Sequence, residues 1–288
     1  MLDASMLAFL LPPFVASLIL TGIHAYLGVH VVERGVIFVD LSLAQIAALG
    51  GTIAILLPVS GGDPHAPVVY WISLAFTFLG AFIFSMIRVK RARIPQEAII
   101  GICYAVASAA AILAMSKATS ESEHLKDMLV GNILAVSWAE VAKTAGLYGA
   151  IGLFHYIFRQ QFLAISLDHS RTHTHGRSVR FWDFLFYASF GFVVTSSVAI
   201  AGVLLVFCYL IVPSVAAMLY AESVGRRLAI GWTMGTVVSA LGVYASLMMD
   251  LPTGATIVCT FGVALIIMAL VRPIVQGARR PIAADPVQ

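Results

Sequence analysis

Apolar stretches recur along this chain at 6–30, 36–58, 68–87, 97–116, 139–158, 181–200, 203–220, 228–249 and 254–271. Each is close to the roughly 20 residues a helix needs to cross the hydrocarbon of a bilayer. In lipid every backbone N–H and C=O must be satisfied within its own segment or a closed barrel, and runs this long and continuously apolar select the helix. The sequence therefore predicts an all-α, polytopic transmembrane bundle of about nine spans. Residues 181–220 are too long for one crossing, and Ala201-Gly202 is the expected break. Only 11% of the 288 residues are charged, against about 25% in soluble domains. Residues 1–272 are expected to form a single transmembrane domain. Residues 273–288, with Pro281 and Pro286, are expected to be a short, frayed cytosolic tail. The N-terminus lacks the basic n-region of a cleavable signal peptide, so none is expected.

Basic residues set the orientation. With the N-terminus outside and the C-terminus inside, only Lys117, Lys126 and Lys143 of the 17 Lys and Arg residues fall on the outer side. Arg34, the Arg88–Arg93 cluster, the 159–180 segment, Arg226, Arg227 and the C-terminal arginines fall inside. The mild net charge of +3 is spread over these loops, which argues against a nucleic-acid partner and for a multi-pass protein of the cytoplasmic membrane. Cys103, Cys208 and Cys259 each lie in an apolar run with no metal-binding spacing, and read as packing residues. No phosphate-cradling G-x-x-x-x-G-K-[ST] is present, so any ATP-driven role needs a separate ATPase. No nucleophile–base set converges in the spans, and no cofactor is expected to be bound by this chain.

One acid stands inside an apolar run. Asp40 is followed at helical spacing by Ala44, Ala47 and Gly51, so a carboxylate heads a stripe of very small side chains. A charge in hydrocarbon costs about 2.5–3.5 kcal/mol on insertion scales, and it usually faces a bundle interior or a wet path. Asp40 is thus a candidate to meet a passing cation; the competing reading is that it caps or hydrates the start of its helix. His24 lies mid-span in the first helix and His155 late in the fifth. Both are expected to be buried and bonded to a carbonyl or a hydroxyl, with His24 as a second path candidate. The inner segment 159–180 carries His169, His173 and His175; it is expected to be a solvated partner-docking loop, with a metal site as the alternative. Outside, Glu121, Glu123, His124 and Asp127 form an acidic patch, and 117–138 is too short and polar to span. Asp250-Leu251-Pro252 is expected to make a tight outer turn, with Asp250 capping the last span.

Four segments together resemble the membrane permease subunit of zinc/manganese-type ABC importers. They are GVHVVERGVIFVDLSLAQIAALG, LVGNILAVSW, GVLLVFCYLIVPSVAAMLY and DLPTGATIV, in that order, within a resemblance covering about 22 to 272. The resemblance implies a homodimeric permease that imports a divalent metal cation, such as zinc, manganese or iron, along a path at the two-fold interface. It implies an ABC ATPase partner below and an extracytoplasmic metal-binding protein above. ATPase docking would then fall on the loop after the fifth span, at Leu167, Asp168, His169, Ser170, Arg171 and Gly176. The chain departs from the family at one place. Many members carry a histidine four residues after the aspartate, where this chain has Ala44 followed by Gln45. The runner-up reading is an ion-coupled secondary transporter. That class needs coupling carboxylates near the midplane and usually shows internal repeats; Asp40 is the only acid well inside a span, and no repeat is evident.

Overall fold

The computed structural model describes residues 4–63, 66–87, 95–116, 133–167 and 176–277. Among these residues all regular structure is helical: α1 (Ala4–Arg34), α2 (Val39–Leu56), α3 (Pro67–Ile87), α4 (Gln96–Met115), α5 (Trp138–Ile157), α6 (Arg159–Leu167), α7 (Gly176–Met218), α8 (Val224–Met249) and α9 (Thr253–Gly277). Short 3-10 turns lie at Pro58–Ser60 and Ile133–Ala135. Seven helices are long and apolar enough to cross a membrane by length and composition, namely α1 to α4 and α7 to α9. The chain is therefore a polytopic helical membrane protein. The acidic outer patch and the three histidines at 169, 173 and 175 lie outside the described residues.

Local chemistry sets the boundaries. α1 stops where Gly35 takes φ +66°, and α2 starts four residues later. α5 opens with a capping box: Ser137 Oγ accepts from the Glu140 N–H while the Glu140 carboxylate accepts from the Ser137 N–H. The outer turn after α8 differs from expectation. Asp250 closes α8 in the left-handed region, at φ 52°, instead of capping α9. Left-handed backbone is tolerated by Asp better than by most residues, and the Leu251 N–H returns to Ser246 O to close the turn.

The break expected near residue 202 is present. Gly202 has φ 74° and ψ 162° inside α7, a backbone open only to glycine at low cost. The contacts of the two arms show what it does. In the first arm Asp183 pairs with Arg34 at the end of α1, and Ser197 meets Tyr148, whose ring abuts His24 higher on α1. In the second arm Ser214 Oγ bonds Ala25 O, and beyond it Arg227 of α8 reaches Glu33. The chain thus climbs along α1, reverses at Gly202, and descends along the same helix. α1 is the strut around which α5, α6, both arms of α7, and α8 are packed. On the far side of the α7 arms, α2 packs against α3 and α4. Outward faces of α4 and α9 expose Ile102, Val106, Leu113, Ile266, Leu270 and Ile274.

Candidate translocation site

Asp40 is the second residue of α2 and is only 1% exposed. The helix N-cap is Phe38, with no side-chain capping bond, and Asp40 Oδ1 has no hydrogen-bond partner. Asp40 therefore makes no capping bond at the start of the helix. It is a buried acid with no ion-pair partner among the described residues, in the first turn of a helix whose N-terminal dipole favours negative charge.

The stripe below it forms a wall. Ala44, Ala47 and Gly51 line a cavity of about 370 Å³, closed on its other sides by Ser73 of α3, Ser108 and Ala111 of α4, and Thr195 of α7. Gln45 also lines it. The walls carry hydroxyls and an amide but no charge, and Ser108 Oγ has no partner. Asp40 itself is not among the lining residues. It sits one turn before the stripe, at the start of α2, where the Phe38 N–H donates to the Glu97 carboxylate of α4.

Three buried histidines share one bonding pattern, and two of them, His30 and His155, flank the Tyr26 ring. His24 Nδ1 donates to Leu20 O at 2.8 Å, which leaves Nε2 as a buried acceptor with no partner. His155 Nε2 bonds Ser189 Oγ at 2.8 Å, and that hydroxyl spends its hydrogen on Phe186 O. The imidazole is then the donor, and Nδ1 is left as an acceptor without a partner. His30, unremarked in the sequence reading, repeats the pattern. Its Nδ1 bonds Ser166 Oγ, which donates to Phe162 O and accepts from Arg34 Nε; Nε2 has no partner. The Tyr26 ring stands edge-on to both His30, at 4.8 Å between centroids, and His155, at 5.4 Å. Imidazole lone pairs of this kind suit borderline cations. Even so, among the described residues no three His, Cys, Asp or Glu side chains converge closely enough to hold one metal ion.

Two expectations for the basic end are corrected. Arg34 is not a loop charge. Its Nη1 lies 2.8 Å from Asp183 Oδ1, with side-chain exposures of 2% and 0%, and its guanidinium lies 3.9 Å from the Phe186 ring centroid. The segment after the fifth span is not wholly a solvated loop either. Its first nine residues are α6, with Phe162, Ile165 and Ser166 buried against α1 and α7. Of the expected docking residues, Leu167 ends α6 with its side chain exposed and Gly176 begins α7; Asp168, His169, Ser170 and Arg171 lie outside the described residues. A buried Arg–Asp pair joins two segments 149 residues apart, and nothing in the spacing of a single sequence announces it.

Comparison with known proteins agrees with this architecture. The chain is 27% identical over 217 residues to the manganese transport system membrane protein MntC of Listeria innocua, covering 73% of this chain and 77% of that one. It is 24% identical to the chelated iron transport system membrane protein YfeD of Yersinia pestis, covering 76% of each. Among solved structures it superposes on a chain of PsaBC from Streptococcus pneumoniae in complex with Fab, with TM-score 0.73, 25% identity and 90% of both chains covered. It also shares the fold of a metal-chelate type ABC transporter in an inward-facing conformation, with TM-score 0.65, 20% identity, and 96% and 89% coverage. The model of the ABC 3 transport family matches residues 6–272, and the chain belongs to that family.

Proposed function

We propose that this chain is the permease subunit of an ATP-binding cassette importer for a divalent metal cation, with Asp40 in the translocation path. The family match, together with relatives named for manganese and iron transport, supports the transport class. One observation carries the assignment of Asp40: a carboxylate 1% exposed whose Oδ1 has no partner and which caps nothing. Such a group is costly in an apolar bundle unless something else uses it. A cation arriving along the bundle would be what uses it. His24 Nε2 is the second donor in this reading. With Ala44 where many members of the resembled family carry a histidine, the set holds one imidazole fewer, which favours a hard ion such as Mn2+ or Fe2+ over Zn2+.

The remaining architecture follows from the same reading. Residues 1–272 act as one membrane domain, with 273–288 as a cytosolic tail. The first arm of α7, its second arm and α5 each count as crossings, giving nine spans with the N-terminus outside and the C-terminus inside. Two copies pair, an ABC ATPase docks at the inner face around Leu167 to Gly176, and an extracytoplasmic metal-binding protein delivers the ion. ATP hydrolysis belongs to the partner, so this chain is not itself an enzyme.

The test is metal uptake by cells carrying Asp40→Asn, Asp40→Glu or the wild type at matched membrane abundance. Asn keeps shape and removes charge, so uptake should fall at least tenfold with the complex assembled and ATP still hydrolysed. Glu should be milder. Wild-type uptake by the Asn variant would remove Asp40 from the path.

A further inference from the structure

A second cavity, larger than the one under the Asp40 stripe, opens on the other side of α1. It holds about 680 Å³ between α1, α5, the start of α6 and the first half of α8. Its floor is Ile19, Gly22, Ile23 and Tyr26 of α1. One wall is α5, through Gly149, Gly152 and Tyr156; the other is α8, through Leu228 and Trp232. α5 and α8 each pack on α1 but splay from one another. The groove between them is left open because glycines stand where side chains would fill it. A Cβ at Gly149 or Gly152 would meet nothing within 4 Å.

The groove is apolar along its length and charged at one end only. Arg159 closes the end that also carries Val224 and Gly225, the same end as Arg34 and Arg227. Its guanidinium lies 4.5 Å from the Tyr156 ring centroid and donates to Tyr156 O, and it has no carboxylate partner among the described residues. Trp232 borders the groove farther along, its Nε1 donating to Gly22 O. From Ala145 to Tyr156 the α5 wall spans about 16 Å at 1.5 Å per residue, roughly the depth of one leaflet of a 30 Å hydrocarbon core. An apolar slot one leaflet long, with an unpaired cation at its headgroup end and an aromatic ring beside that cation, has the shape and charge of a phospholipid written in reverse.

We propose that this groove binds one anionic diacyl phospholipid from the leaflet at the basic end, its phosphate on Arg159 and an acyl chain along Gly149 and Gly152. The site is separate from Asp40 and from the cavity beneath it, so it stands whether or not Asp40 meets the cargo. A bound lipid would seal the gap between α5 and α8 and tie both to α1.

The experiment uses the full chain, in complex with its ATPase, reconstituted into nanodiscs of phosphatidylcholine containing 10% phosphatidylglycerol and then extracted in mild detergent. Native mass spectrometry counts retained lipid. The wild type should keep one phosphatidylglycerol per permease chain, enriched at least fivefold over its share of the bilayer. Gly152→Leu puts a side chain into the groove at a position where a Cβ meets nothing within 4 Å, so it should keep its melting temperature in detergent and lose the retained lipid. Arg159→Gln should retain lipid but lose the preference for the anionic headgroup. Unchanged enrichment in both variants would overturn the proposal. So would efficient disulfide formation between two copies carrying Gly152→Cys in a background without the native cysteines, since the groove would then hold a second chain.

Discussion

Arg34 shows how a single side chain can organise one end of the molecule. It pairs with Asp183, donates to Ser166, and stacks on Phe186, while Ser166 also holds His30. α1, α6 and α7 thus meet in one polar knot within an apolar bundle. Removing one partner of a buried pair strands the other charge and typically costs about 3–5 kcal/mol, whereas replacing both with apolar residues is often neutral. Arg34→Leu should therefore lower the detergent melting temperature sharply, and Arg34→Met with Asp183→Leu should restore most of it. If the single change were as stable as the double, the pair would not be holding the knot. The sequence made Arg34 visible as a charge but not as a buried one. Burial depends on an acid 149 residues away, and a single sequence carries no signal for that pairing. Asp40 was legible because the cost of an acid in an apolar run is local. His155 and His24 were legible as bonded core histidines for the same reason, whereas His30 lies four residues before Arg34, and its partner Ser166 is 136 residues away.

At the scale of elements, hydrophobic length found the spans, and glycine placed the turns between and within them. The reversal of α7 could be anticipated because no single helix of 40 apolar residues fits a bilayer, and Gly202 was the residue able to absorb the required backbone. The close packing of α1 on the second arm of α7 could not be anticipated. At Gly28 any Cβ would overlap Leu210 O and Ser214 Oγ, so the two helices touch through backbone. Small residues permit such approach in membranes, where van der Waals fit replaces the hydrophobic drive. Gly28→Ala should therefore destabilise the fold by about 1–3 kcal/mol, the usual cost of overpacking. Gly146→Ala, where a Cβ meets nothing within 4 Å, should leave stability unchanged or slightly raised through helix propensity. Melting curves of the two variants, purified side by side, separate these outcomes. Equal loss in both would mean that helix–helix contact at Gly28 is not the cause. The α6 helix is the element the sequence reading missed. Its opening residues, Arg159, Gln160 and Gln161, are all polar and read as loop, yet Phe162 and Ile165 bury a face three residues apart.

For the whole molecule, the decisive matter is where work enters a bundle with few charges of its own. The knot at Arg34 binds α6 to α1, and α6 leads directly into the segment proposed to meet the ATPase. A push on that segment would reach α1 through Ser166 and His30, and α1 in turn touches α5, both arms of α7, and α8. Transmission of this kind needs the ATPase seated against the exposed side of α6. Ser166, though in the right stretch, is only 1% exposed and cannot serve as a reporter. Gln160 and Leu167 are exposed and can. In a chain with Cys103, Cys208 and Cys259 replaced by alanine, Gln160→Cys and Leu167→Cys should each cross-link to the ATPase in membranes, more strongly with nucleotide-dependent closure than without. The same chain alone in proteoliposomes should show no concentrative metal uptake, and adding the ATPase with ATP inside and the metal-binding protein outside should restore it. Cross-links forming only from residues 88–96 would move the docking surface to the other inner loop. Uptake by the chain alone under a proton gradient would replace the ATP-driven reading with an ion-coupled one.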